Sequence, residues 1–311
     1  MLNNKPIRIL NFDGSVVKQT RLLRSYKNDI LDLTDLGPQA RYYSTAKTRD
    51  AIKRRISGSE KNSVTFLGSG DFHHISEILL NRFDEPLSVI SFDFHPDWDT
   101  MPPRYGCGSW VTEVLKRKRN ISKFILLGVS SNDISGFGIN SGYLSSLRDN
   151  RVEIYPYAHK PSRTFLKKVP ENASLNVRRG IFFNTIYWRE LINKNPAEFF
   201  QGLLNRIRTK DVYVSIDKDC LKADFSLTNW EEGKFSLDEL LLLLKLIREN
   251  LNIVGLDITG DYSPIAVRGI FKKIASYLDH PRGVKANTLP ESVVTAVNEN
   301  TNLKILQLFD S

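Results

Sequence analysis

Three short stretches of this sequence gather the side chains that bind divalent cations. The longest is Ser91-Phe92-Asp93-Phe94-His95-Pro96-Asp97-Trp98-Asp99, which continues directly from the apolar run that opens at Leu87. Asp93, His95 and Asp97 are two residues apart, so a locally extended backbone would point all three to one side. Pro96 cannot donate to a sheet ladder, which places this stretch in a loop just past a strand. Ionisable groups crowded at a strand exit repel each other unless something offsets them, and carboxylate oxygen with imidazole nitrogen suits Mn, Fe or Zn. The second stretch, Val214-Ser215-Ile216-Asp217-Lys218-Asp219, again sets two aspartates two apart at the end of an apolar run. The third is Gly68-Ser69-Gly70-Asp71-Phe72-His73-His74, where glycines permit a tight turn and a helix is expected to start near His74. A lone Asp-x-Asp is ordinarily a solvated loop or cap, and a lone His-His pair is ordinarily structural. Three such clusters after three strands point to a metal site.

The elements that must carry these residues follow from periodicity. Ile7 to Phe12, Ser63 to Leu67, Leu87 to Phe92, Phe124 to Val129, Val152 to Tyr155, Asp211 to Ile216 and Asn252 to Asp257 read as strands. Most are continuously apolar, as parallel strands covered on both faces are. Ser236 with Glu239 is a capping-box signature for a helix reaching about Asn250. Pro196 suits the first turn of another helix, and Ser109 to Arg119 reads as a third. The alternation predicts an α/β fold of three layers, α/β/α, with a mostly parallel central sheet, in one domain over residues 1–311. Ligands bind such sheets outside the carboxyl ends of the strands, where the acidic clusters fall. Residues 161–192 carry no clear pattern.

Composition sets outer bounds. The chain has 311 residues, 41% hydrophobic and 25% charged, the balance of a globular protein rather than a disordered or disulfide-dense one. Two cysteines, Cys107 and Cys220, are too few for a disulfide framework and fit a reducing compartment. No run approaches the roughly 20 apolar residues of a membrane span. The N-terminal residues lack a secretory pattern, so a soluble, cytoplasmic protein is expected. Lys and Arg number 44 against 35 acidic residues, a net charge of +9. The basic clusters Lys53-Arg54-Arg55 and Lys116 to Arg119 fall near predicted helix ends, where cations offset the macrodipole, and no nucleic-acid motif accompanies them.

With these motifs in place, the sequence resembles the arginase and agmatinase superfamily, the ureohydrolases. Asp93-Phe94-His95-Pro96-Asp97 resembles that family's Asp-Ala-His-x-Asp motif, and Ser215-Ile216-Asp217-Lys218-Asp219 matches its Ser-x-Asp-x-Asp motif. Gly70-Asp71-Phe72-His73-His74 only approximates Gly-Gly-Asp-His-Ser, with one inserted residue needed to reach His73 and two to reach His74. The resemblance implies an arginase-like fold and two divalent cations, usually manganese, held by His73, Asp93, His95, Asp97, Asp217 and Asp219. Four ionised carboxylates independently balance the charge of two such ions. By resemblance, Asp93 and Asp217 bridge the ions, and the nucleophile is a metal-bridging hydroxide whose proton Asp97 takes. The expected activity is hydrolysis of a C–N bond in a small, cationic guanidino, amidino or related compound. Family members often form homo-oligomers.

The chain departs from the family at two places. Cys107, in Tyr105-Gly106-Cys107-Gly108, stands where relatives carry a histidine. It could exchange a proton, act as a nucleophile, or simply pack at a helix start. The late strand, Gly255 to Pro264, offers Gly260 and Asp261 where arginases grip guanidinium with a glutamate, and Asp99 replaces a substrate-contacting asparagine. Asp99 and Asp261 are thus the candidate substrate ligands. The competing readings are a deacetylase-like amidohydrolase with a single zinc, and a metal-binding homologue with altered catalysis.

Overall fold

A computed structural model describes residues 6–165, 168–280 and 284–310. Its centre is an eight-stranded sheet built from β1 (Ile7–Asn11), β2 (Asn28–Asp32), β3 (Val64–Gly68), β4 (Leu87–Phe92), β5 (Ile121–Leu127), β6 (Val152–Tyr155), β10 (Asp211–Asp217) and β11 (Asn252–Thr259). The strands run in the order β2-β1-β3-β11-β10-β4-β5-β6. Every pairing in it is parallel, so all eight carboxyl ends share one edge. The expected three-layer α/β/α arrangement is the one observed.

Side-chain alternation along the strands separates the two apolar layers. Leu67, Val89, Phe124 and Tyr213 pack into one cluster with Ile52, Ile78 and Val114 from the helices Ala46–Ile56, Ile75–Leu80 and Trp110–Arg117. Their sequence neighbours Phe66, Ile90, Ile125 and Val214 join the opposite cluster, with Phe200, Leu244 and Ile305 from the helices Pro196–Leu204, Leu237–Asn250 and Glu291–Gln307. Burial on both faces explains why these strands are apolar without interruption. The capping box forms as expected: Ser236 Oγ accepts from the Glu239 amide and Glu239 Oε2 accepts from the Ser236 amide at 2.8 Å.

Residues 161–192 hold an antiparallel sheet in the order β7-β9-β8, formed by β7 (Ser162–Phe165), β8 (Leu175–Arg178) and β9 (Phe183–Trp188). Its inner residues Leu175, Ile186 and Trp188 join the core, whereas Phe165, Phe183 and Tyr187 are exposed. Aromatic residues on the solvent face hide the polar alternation that marks a half-buried strand.

Candidate metal centre

The three clusters meet above the carboxyl ends of β3, β4 and β10. Beyond β4 the chain does not stay extended. The His95 amide donates to Asp93 Oδ1 at 2.7 Å, and Asp97 takes a left-handed backbone with φ of 48°. A bent loop, rather than the expected strand-like alternation, therefore gathers Asp93, His95 and Asp97. The cause is local: Pro96 removes a donor, and a short carboxylate bonding the amide two residues on favours a turn.

Past β3, a tight turn over Gly70–Phe72 leads into the Ile75–Leu80 helix and separates the two adjacent histidines. His73 Nδ1 lies 3.1 Å from Asp93 Oδ2, 3.0 Å from Asp97 Oδ2 and 3.7 Å from Asp217 Oδ2. His74 turns away and meets Ser44 Oγ with its Nε2. Of the two histidines, His73 is the one that faces the carboxylates. The turn needs its glycine, because a Cβ on Gly70 would stand 2.8 Å from Asp217 Oδ2.

At the end of β10, Asp217 Oδ1 accepts from the Asp219 amide at 3.0 Å. Asp219 Oδ1 accepts from the Phe94 amide and its Oδ2 lies 3.0 Å from His95 Nδ1. Trp110 Nε1 donates to Asp97 Oδ2 at 2.7 Å. Two groups of potential ligand atoms result, His73 with Asp93 and Asp217, and Asp93 with His95 and Asp219, each within 4.8 Å. Asp93 belongs to both.

The electrostatics of these groups all lean in one direction. Burial, then the charges of Asp97 and Asp219, push Asp93 well above the usual carboxylate range. Burial and Asp219 raise Asp217 to about 8. Burial alone would depress His73 and His95, but bonds to Asp93 and Asp97 on one, and to Asp219 and Glu231 on the other, drive both upward. Carboxylates that hold protons and imidazoles that gain them both report a deficit of positive charge. Divalent cations fit that deficit, and carboxylate with imidazole is a suitable donor set for manganese or zinc.

These groups form the floor of a cavity of about 540 Å³. Asp99, Cys107, Asp133, Tyr42, Trp230 and Glu231 are among the residues that line it. Asp99 Oδ1 accepts from Ser141 Oγ at 2.6 Å, and burial raises its carboxyl to about 6. Burial and the charges of Asp97 and Asp71 push the Cys107 thiol well above its ordinary value, so the protein's own groups favour a neutral thiol there.

Asp261 does not join this cavity. It is buried, Lys218 Nζ donates to its Oδ1 at 2.9 Å, and Gln19 Nε2 donates to the same oxygen at 2.6 Å. The expectation that it grips substrate is corrected by this geometry: its charge is spent on a buried ion pair. Gly260 lies next to Asp217, with no room for a Cβ.

Glu231 and Trp230 escaped notice in the sequence. Glu231 Oε2 stands 3.3 Å from His95 Nε2, and the Trp230 ring lies 5.4 Å from that of His95. The signal was available: Asn229-Trp230-Glu231-Glu232 follows the Asp217/Asp219 motif within one loop.

A family model described as "Arginase family" matches residues 18–269. The chain belongs to the arginase family. An uncharacterised protein of Thermotoga maritima is 25% identical over 259 residues, covering 83% of this chain and 81% of that protein. Among solved structures, arginase from Entamoeba histolytica in complex with L-ornithine is similar with a TM-score of 0.57 at 9% identity, covering 100% of this chain and 99% of that one. Formimidoylglutamase from Bacillus subtilis gives a TM-score of 0.56 at 12% identity, covering 98% and 87%. At such identities these structures establish that this arginase-family member shares their fold.

Proposed function

We propose that the chain is a hydrolase that holds two divalent cations, with manganese the best match, and cleaves a C–N bond of a small guanidino, amidino or related compound. The observation that carries this reading is the sharing of Asp93 between two donor groups on the floor of an acidic cavity. One group would be His73, Asp93, Asp97 and Asp217; the other would be Asp93, His95 and Asp219. When bound, such a pair of cations makes a water acidic enough to attack near neutral pH and offsets the charge that develops on the substrate.

The chain's own residues supply the rest. Trp110 fixes Asp97 through Oδ2, which leaves Oδ1 as the atom to accept a proton. Glu231 orients the His95 ring from the side opposite Asp219. Asp99 and Asp133 add negative charge to the cavity wall, and the rings of Tyr42 and Trp230 also line it. A planar cation such as an amidinium suits acidic and aromatic walls together. Cys107 opens the turn before the Trp110–Arg117 helix and would meet substrate as a neutral thiol. The shared carboxylate favours two ions over a single zinc. Free cysteines at 107 and 220 favour a reducing compartment such as the cytoplasm. One catalytic unit over residues 1–311 accords with a central sheet that takes strands from residue 7 to residue 259.

The test loads the protein with Mn²⁺, counts bound metal, and assays release of urea, ammonia or formamide from arginine, agmatine, guanidinobutyrate and formiminoglutamate. Near two ions per chain with turnover of one compound is expected. One ion per chain, or no C–N hydrolysis across the panel, would sink the reading.

A further inference from the structure

Behind His73, away from the cavity, lies a line of polar side chains that the chemistry above leaves unused. His73 Nε2 stands 2.8 Å from Ser215 Oγ. Ser215 Oγ in turn lies 2.7 Å from Asp257 Oδ1, and the Tyr213 hydroxyl lies 2.7 Å from Asp257 Oδ2. All four residues are buried, with exposures of 2% or less. Ser215 and Asp257 are also direct partners in the register of β10 with β11, so sheet pairing fixes their approach.

Proton counting gives this line a direction. A serine hydroxyl has one proton, and an ionised carboxylate only accepts. Asp257 accepts from Ser215 on Oδ1 and from Tyr213 on Oδ2, and Ser76 lies against the same carboxylate. With its proton committed to Asp257, Ser215 presents a lone pair to His73, and the partner of that lone pair is a proton on Nε2. A neutral imidazole carries a single N–H, so Nδ1 is then bare. Nδ1 is the atom that faces Asp93, Asp97 and Asp217.

We propose that Asp257 is a positioning residue that acts through Ser215 to hold His73 as its Nε2–H tautomer, so that Nδ1 is the atom offered to a cation. The inference rests on the divalent-centre reading above. It also gives a reason why His73 rather than its neighbour would serve: His74 Nε2 meets the Ser44 hydroxyl, for which no carboxylate partner is found among the described residues. Hydrogen-bonded partners behind a ligating histidine characteristically change metal affinity 10–100-fold when removed, by loosening the ring and its tautomer.

The experiment uses full-length protein labelled with ¹⁵N-histidine and loaded with Zn²⁺, a diamagnetic probe, beside Mn²⁺ titrations of unlabelled protein. Long-range ¹H–¹⁵N correlation spectra of the wild type are expected to show His73 protonated on Nε2 with Nδ1 shifted by the metal. Ser215→Ala is expected to weaken Mn²⁺ binding roughly 10–100-fold and to mix the His73 tautomers. Tyr213→Phe, which keeps the Ser215–Asp257 bond, is expected to retain the wild-type tautomer. If Ser215→Ala does not fold, the wild-type spectrum still decides. Metal-loaded protein with His73 protonated on Nδ1, or Ser215→Ala with unchanged affinity and tautomer, would overturn the relay alone. Wild-type protein that takes up neither ion would overturn the divalent-centre reading with it.

Discussion

Asp93 is the carboxylate through which both donor groups pass, and exchanging it separates a shared site from two independent ones. Asp93→Asn is expected to lower bound manganese from near two ions to well below one per chain, whereas Asp219→Asn should leave close to one, as read by elemental analysis after desalting. Similar losses in both variants would argue against sharing. The same atoms fix the pH dependence. Asp93, His73 and His95 are pushed above their ordinary ranges and Asp217 to about 8, so protons would compete with a cation for these atoms as the pH falls. Metal binding should expel protons, and apparent affinity should rise between pH 6 and pH 8. Calorimetry in buffers of different ionisation enthalpy reports the number released; a value of zero across that range would contradict the raised pKa values. Asp261 belongs to a different account. Removing one partner of a buried pair leaves a charge without compensation, so Asp261→Leu should destabilise the fold by about 3–5 kcal/mol in denaturant melts. A stable variant with only a raised KM would restore the substrate role that the buried Lys218 partnership denies it.

The elements place those atoms through turns in which a side chain has no room. Gly260 follows β11 with φ of 89°, and an added Cβ would sit 2.6 Å from Asp217 Oδ1. Gly260→Ala should therefore displace Asp217, cost about 1–2 kcal/mol for the left-handed backbone alone, and reduce bound metal. A melt combined with metal analysis checks both, and unchanged metal content would show that β11 does not set the Asp217 position. This glycine also marks where sequence reading stops. The strands ending at Phe92 and Asp217 were legible because burial on both faces leaves an unbroken apolar run, and spacing then put Asp93, His95, Asp217 and Asp219 at one edge. What spacing could not supply was the shape of the loops. The bend at Asp97 and the turn that separates His73 from His74 break the regular spacing within a few residues, and the ion pair that withdraws Asp261 depends on Lys218, a partner far away in sequence. Glu231 was hidden for the same reason, since a loop glutamate gains meaning only once His95 is beside it. In β7 and β9 a solvent face carrying Phe165, Phe183 and Tyr187 erased the alternation that identifies a strand, and β8 keeps it over only four residues.

At the scale of the molecule, the chain carries a net charge of +9 yet concentrates four carboxylates on one cavity floor. A distribution of that kind stores a local repulsion, which the divalent cations proposed above would relieve. Because an ion that binds the folded state alone stabilises it by RT ln(1 + [L]/Kd), loading at a hundredfold excess over Kd should add about 2.7 kcal/mol per site. With an unfolding entropy of roughly 2.1 cal/mol/K per residue, a chain of 311 residues converts that to a rise in Tm of about 4 °C per site. Two sites filled together should therefore raise Tm by about 8 °C, and a chelator should return it to the metal-free value. The gain should be larger at pH 8 than at pH 6, since protons on Asp93, Asp217, His73 and His95 compete with the ion at the lower pH. Scanning calorimetry across manganese concentrations reads both the slope and the pH effect. A Tm indifferent to manganese at both pH values would mean that the clustered carboxylates are tolerated for some other reason, and the divalent centre would lose its thermodynamic basis.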